Sequence, residues 1–405
     1  MRYNKHMNFE ESSKAICKKL AELSGTKAED WHLCLKARFG MALVFEAIRD
    51  KLGAGEVITT PYTCITAINP ILVAGLTPVY HDIDPSILST GKPDDHYCKG
   101  KTKAIVMQHT LGMIGNKTSL RKYADKHKLI LIEDAAHCVT RFAHDKDDKI
   151  LADISIHSFG VEKVLTGTKF GGAVWINPEL KQKSPILYDY LVAKFQKLKA
   201  PDRHMAFRVR TYRLNNAVIQ RLHGGLKRKV RNLSIKAGML EPAIYPFEQD
   251  GRQDEPKTTN KYINERILEQ LEILKSNYIR RSANVELYQS KLKSKHFEKI
   301  TKLQEPLLAY PILFESTEKA NRAYDMLTAE GYFIRRWYSP LLYPGPNNLS
   351  TYRYNPKKAP IAEDISRRIL CLPTDLPVIE TNKIVKFLTD QKAHVENPVD
   401  NSNKD

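Results

Sequence analysis

The stretch LILIEDAAH, residues 129–137, runs from four aliphatic side chains straight into Glu133 and Asp134, with His137 three positions later. A short, purely apolar run reads as a strand buried on both faces of a sheet. Charge at its end marks where the chain leaves that sheet. Successive strand residues point to opposite faces, so Glu133 and Asp134 cannot share an environment. What flanks the stretch decides whether this is solvated loop or a site.

On both sides, short β-rich runs alternate with helical ones. EVITT, TPVYHDI, KAIVMQH, DISIHSF and GGAVWIN read as strands, whereas TAINPILVAG (interrupted by Pro70) and the amphipathic SLRKYADKHK read as helices. That alternation predicts βαβ units and a mostly parallel central sheet sandwiched by helices. Such sheets bind ligands beyond the carboxyl ends of their strands. Asp134, His109 after IVMQ, and Ser158 after ISIH all stand at ends of that kind.

At 405 residues the chain has room for a large domain, expected over 1–250, and a smaller α+β domain over 251–390. The polar, aperiodic residues 391–405 read as a disordered tail. INERILEQLEILKSNYIRRSANVELYQSKL (263–292) predicts one long helix leading into the smaller domain, where LLAYPILF is strand-like and EKANRAYDMLTAEG ends its helix at Gly331. No run approaches the roughly 18 apolar residues of a membrane span. The N-terminus lacks the apolar core of a signal peptide, so a cytoplasmic location is expected. The six cysteines are scattered without a C-x-x-C pair, which argues against structural zinc or a disulfide framework.

The net charge of +18 is concentrated. Between Lys194 and Leu240 thirteen Lys and Arg face one carboxylate, Asp202. Within this insert VIQRLHGGLKRKVRNL places Val218, Ile219, Leu222, Leu226, Val230 and Leu233 at helix-face spacing, against the breaking tendency of Gly224 and Gly225. The simplest reading is a solvated helical hairpin. Capture of a diphosphate group is a second reading, because Arg forks suit phosphate oxygens. Peripheral contact with the anionic inner face of a membrane is a third. Nucleic acid ranks last, since no recognised motif accompanies the charge.

Lys163, in HSFGVEKVL, follows a buried strand and precedes the glycine-containing turn TGTKFGG, which suits close approach of backbone to a ligand. In order, ITTPYTCITAINPILVAGLTPVYHDID, KAIVMQHTLG, LILIEDAAH and DISIHSFGVEKVLTGTKFGG resemble the DegT/DnrJ/StrS family of pyridoxal-phosphate-dependent nucleotide-sugar aminotransferases. AYPILF, GYFIRRWYSPLLYP and APIAEDISRRILCLPTD resemble that family's small domain, and the likeness spans roughly residues 30–185 and 257–390. It implies the aspartate-aminotransferase fold (fold type I), pyridoxal 5′-phosphate as cofactor, and a homodimer. It further implies transfer of an amino group, from a donor such as glutamate, to a nucleotide-linked keto-sugar in amino-sugar and surface-glycan biosynthesis.

The resemblance assigns residues as well. Asp134 matches the carboxylate that contacts the pyridine nitrogen. At about 3 Å and an effective dielectric near 20 that attraction is worth about 5 kcal/mol, or up to roughly four pKa units on the nitrogen before desolvation. Glu133 is left for a structural contact or solvent. Lys163 matches the Schiff-base lysine, which also shuttles the proton. His137 stands where many members have Gln near the phenolic oxygen, and Ser158 matches a hydroxyl on the phosphate. Arg38, Phe39 and Gly40 occupy the phosphate turn, with the helix running on from Met41; Phe39 and Gly40 are carried as cofactor contacts, after Ser158. Cys64 stands where the family often has a stacking aromatic, and His109 matches a recurrent His that is structural or touches substrate. Asn260 is the candidate for the residue one subunit lends to its neighbour. Two alternatives accompany this reading: a non-catalytic binding or regulatory protein on the same fold, and the family's sugar dehydratase branch, in which His replaces the lysine.

Overall fold

The computed structural model describes residues 7–115, 117–293, 297–300 and 305–390. The chain opens with helix α1 (Phe9–Ser24), which Asn8 and Glu11 start with a reciprocal capping box and Gly25 ends in the left-handed region. Then come β1 (Trp31–Cys34), α2 (Ala37–Leu52), β2 (Glu56–Thr59), α3 (Ile65–Val73) and β3 (Thr77–Tyr80). A two-stranded ribbon, β4 (Ile83–Asp84) and β5 (Ser89–Thr90), precedes β6 (Thr102–Gln108), α4 (Thr118–Lys126), β7 (Ile130–Asp134), β8 (Ile154–Ser158) and β9 (Gly172–Ile176). Pro70 lies inside α3 without ending it.

Seven strands make one sheet in the order β1-β9-β8-β7-β6-β2-β3. The run from β3 to β8 is parallel, and β9 pairs antiparallel with both β8 and β1. Strands β7, β8 and β9 are buried at every residue. That is why they read as continuous apolar runs with no alternation. One register ties three strand ends together: Asp134 lies beside Gln108 of β6 and Ile156 of β8.

After β9 come α5 (Leu180–Lys183), α6 (Pro185–Gln196), α7 (Arg203–Gln220) and α8 (Gly224–Lys236). The single apolar face expected from Val218 to Leu233 is divided, because the helix breaks at Leu222–His223 and Gly224 takes φ +53°. Ile219 is buried, while Val218, Leu226 and Leu233 point to solvent. The predicted long helix is likewise two, α9 (Lys261–Glu272) and α10 (Leu274–Lys291). Helix α9 still packs on α1, through Asn264 and the hydroxyls of Ser12 and Ser13 at 3.0 Å.

A second sheet, β10 (Phe297–Lys299), β11 (Ala309–Phe314) and β12 (Ile369–Pro373), is antiparallel and is joined by α11 (Thr317–Ala329), α12 (Pro360–Arg368) and the closing α13 (Val378–Thr389). Between α11 and α12 the chain returns to the large sheet. Backbone N–H groups of Leu342 and Tyr343 donate to Pro61 and Thr63 at 2.9 Å each, and the Tyr62 hydroxyl donates to the Trp337 carbonyl at 2.6 Å. The expected tail, 391–405, lies outside the described residues. Among those described, no helix is long and apolar enough to cross a membrane.

Candidate active site

The carboxyl ends of β2, β6, β7 and β8 open onto one cavity of about 360 Å³, within the range of small-molecule sites. Cys64, His109, Asp134, His137, Ser158 and Lys163 all line it. Asn260, Phe39 and Gly40 do not. Asn260 is the N-cap of α9, its side chain accepting from Ile263 N–H at 3.0 Å. Phe39 is buried in the core, and a Cβ at Gly40 would stand 2.5 Å from Val174, so that glycine lets α2 lie close on β9.

The phosphate turn is thereby corrected. Helix α2 starts at Ala37, four residues before Met41, and it is Lys36, Ala37 and Arg38 that line the cavity. Lys36 stands at the N-cap without a side-chain cap. The first N–H groups of α2 and its positive dipole end are thus left for an anion. The two cations themselves are already engaged. Lys36 pairs with Glu241 at 2.7 Å and Arg38 with Glu248, both carboxylates being buried.

Glu133 and Asp134 part company as the pleat requires. Glu133 turns away into a buried network: it meets His109 Nε2 at 2.7 Å, accepts from the Ala143 N–H at 2.7 Å, and accepts from Ser155 Oγ at 2.5 Å. Burial alone would push its proton affinity up, but those partners hold it below the usual carboxylate range. Asp134 has the opposite balance. Burial raises it, and the Ala136 N–H at 3.1 Å and the Lys163 amine offset this only in part. Among the described residues no second hydrogen bond reaches the Asp134 carboxylate, which leaves acceptor capacity for a cationic ring N–H.

Lys163 is the other half. Burial lowers its proton affinity, against the pull of Cys64, Asp134 and Glu162. Its loop is bracketed by two non-glycine residues in the left-handed region, Glu162 (φ 63°) and Lys169 (φ 68°). Such backbone costs about 1–2 kcal/mol per residue and tends to gather at functional sites. Lys163 Nζ sits 5.2 Å from the centre of the Trp337 ring. Trp337 in turn stacks on His137, with centroids 5.1 Å apart and planes 15° from parallel. Where Cys64 supplies a thiol, aromatic surface therefore comes from the late segment that crosses back over the sheet.

His137 Nδ1 accepts from the Leu111 N–H at 2.9 Å. Burial, seconded by Lys163 and Arg335, keeps the ring neutral. Its proton is thus on Nε2, where the Tyr338 hydroxyl lies 3.3 Å away. A buried carboxylate, an amine of lowered basicity, a neutral Nε2–H donor, a hydroxyl and an open helix N-terminus match the ring nitrogen, aldehyde, phenolic oxygen and phosphate of pyridoxal phosphate.

The sequence pattern of the DegT/DnrJ/EryC1/StrS aminotransferase family matches residues 18–227 and 266–386. The chain belongs to that family. It is a pyridoxal-phosphate-dependent aminotransferase. Over 378 residues the aminotransferase is 24% identical to the dTDP-4-amino-4,6-dideoxy-D-glucose transaminase of Escherichia coli, spanning 91% of this chain and 87% of that one. It is 32% identical to the GDP-perosamine synthase of Vibrio cholerae over 126 residues, 31% and 34% of the two chains. Its fold matches that of Helicobacter pylori PseC, an aminotransferase of pseudoaminic acid biosynthesis. There the TM-score is 0.66 at 19% identity, over 96% and 92% of the chains.

Sequence reasoning passed over several cavity residues. Gln108, Thr63, Lys169 and Arg231 line the aminotransferase's cavity along with Trp337 and Tyr338. The GYFIRRWYSPLLYP segment resembles the family's small domain, but nothing in its pattern singles out Trp337 and Tyr338. Nothing in the local pattern marked Arg231, because one arginine among thirteen cations carries no signal of its own.

Proposed function

We propose that this aminotransferase moves an amino group from an amino acid such as glutamate to the keto carbon of a nucleotide-linked sugar, and that it works as a homodimer. The observation that carries the reading is the convergence of Asp134 and Lys163, from the end of β7 and the loop after β8, on one cavity. The sugar transaminases among its relatives support the substrate class.

Bound pyridoxal phosphate supplies an electron sink for the charge left when a carbon next to nitrogen loses its proton. Asp134 is the group that would hold the ring nitrogen's proton, because its carboxylate retains unused acceptor capacity in a low-dielectric wall. Ser158 Oγ and the first N–H groups of α2 would hold the phosphate. Lys163 Nζ would carry the proton between the two carbons that flank the transferred nitrogen. Its lowered basicity suits that task, since a base works best when its proton affinity lies near the working pH. His137 Nε2–H donates toward the phenolic oxygen. Trp337 and Tyr338 keep water from the reacting atoms.

The experiment is spectroscopic and then catalytic. Holoenzyme reconstituted with pyridoxal phosphate is expected to show the visible band of a lysine-linked cofactor, and Lys163→Ala to lose it together with at least about 10³-fold of its amino transfer. A band that survives Lys163→Ala unchanged removes Lys163 from the role. Failure to aminate any of a panel of nucleotide-linked keto-sugars would exclude the substrate class. Light scattering is expected to give twice the chain mass.

A further inference from the structure

Two cations line one side of the cavity, and a third stands near one of them. Lys169, in the loop between Lys163 and β9, and Arg231, on α8, both line the cavity. Arg213, on α7, is close enough to Lys169 to weaken its hold on a proton, second only to burial. Among the described residues none of the three forms an ion pair within 4 Å. Glu162 acts on Lys169 in the opposite sense to Arg213, and it stands 3.8 Å from Arg335. Cations without an ion-pair partner on a cavity wall favour an anion there.

The arrangement is also held in place. Arg231 donates to Asn216 Oδ1 at 3.3 Å and stands close to the Tyr212 hydroxyl, both on α7. Tyr212 packs edge-on against Phe170, a cavity residue next to Lys169, with ring centroids 5.3 Å apart. The hairpin α7–α8 is thus keyed to the loop that carries Lys169 and Lys163. The cations at the start of α2 are not available for the same purpose, because Glu241 and Glu248 already pair with them.

We propose that Lys169 and Arg231 seat the diphosphate of the nucleotide-linked substrate, so that the basic hairpin is the specificity element of this aminotransferase. This rests on the reading of the substrate given above. A diphosphate diester carries two negative charges and presents several oxygens to an Arg fork. A single carboxylate, such as that of the amino donor, would match only one of the two cations.

The test uses the full chain loaded with pyridoxal phosphate, titrated calorimetrically with inorganic pyrophosphate, UDP and glutarate. Arg231→Ala and Lys169→Ala are expected to weaken pyrophosphate and UDP at least tenfold, Arg231→Lys to restore part of the loss, and glutarate to be unaffected. Lys229→Ala, on the exposed side of α8, is expected to stay within twofold. An unchanged visible band in Arg231→Ala confirms that the fold and the Lys163 linkage persist, whereas loss of the band directs the test to Arg231→Lys. Equal affinities in Arg231→Ala and Lys229→Ala overturn the proposal, as does a loss confined to glutarate. A chain that binds pyrophosphate through Arg231 yet aminates no nucleotide-linked sugar overturns the substrate reading and leaves the anion seat standing.

Discussion

Two adjacent carboxylates, Glu133 and Asp134, differ in what burial does to them, and the difference can be measured. Glu133 is ionised within a closed network of His109, Ser155 and the Ala143 N–H. Glu133→Gln breaks that network, and a loss of about 1–3 kcal/mol in chemical denaturation is expected, with the visible cofactor band unmoved. Asp134 is pushed by burial toward its neutral form. Asp134→Asn should therefore leave the apo-fold as stable or slightly more so, while amino transfer falls at least about 100-fold. If both variants lose stability equally, the two residues do not divide structure from chemistry. This division was legible from the pleat alone. The pairing of Glu133 with His109 was not, because those residues stand 24 positions apart on different strands.

At the scale of elements, the approach of α2 to β9 sets the anion end of the cavity. Gly172 makes that approach possible: a Cβ there would lie 2.8 Å from the backbone of Ala37 and 3.0 Å from the His157 carbonyl. Gly172→Ala is expected to push the start of α2 outward. The expected cost is about 1–3 kcal/mol of stability together with weaker cofactor binding, read as a higher pyridoxal phosphate concentration for half-reconstitution. Unchanged reconstitution would mean that the helix N-terminus is not part of the phosphate seat. The sequence showed a helix here but put its start at Met41. The apolar period continues smoothly through Ala37–Gly40, and Lys36 is no conventional cap, so no local signal marked the true start. In the insert, Gly224 and Gly225 signalled a break and a helical hairpin was expected, but helix-face spacing across Val218–Leu233 did not show that Val218, Leu226 and Leu233 point outward.

Across the whole molecule, the late segment Trp337–Tyr343 ties the small sheet's connection to the loop after β2, and so completes a cavity that the large sheet only half encloses. The same compactness leaves one charge poorly placed. Lys117 is 2% exposed, and among the described residues its amine has no hydrogen-bond partner. Burial lowers its proton affinity from 10.5 to about 8, despite Asp84, Glu305 and Glu133 nearby. Between those pH values the unfolded chain holds a proton that the folded chain has released, so stability rises with pH through that window. Below about pH 8 the full cost applies, on the order of 3 kcal/mol. Lys117→Met should accordingly raise the denaturation midpoint at pH 7, with the gain shrinking by pH 10. A gain independent of pH would assign the effect to packing. The sequence by itself determined the mostly parallel sheet and the strand ends where chemistry gathers, because hydrophobic period and strand-end charge are local quantities; Asp134 and Lys163 as its centre came from the family resemblance. Only the tertiary structure decided that Lys36 and Arg38 are already neutralised, that Trp337 supplies aromatic surface, and that Lys169 and Arg231 line the cavity without an ion pair among the described residues. Each of those depends on which distant side chains share a low-dielectric space, and no pattern along the chain records that.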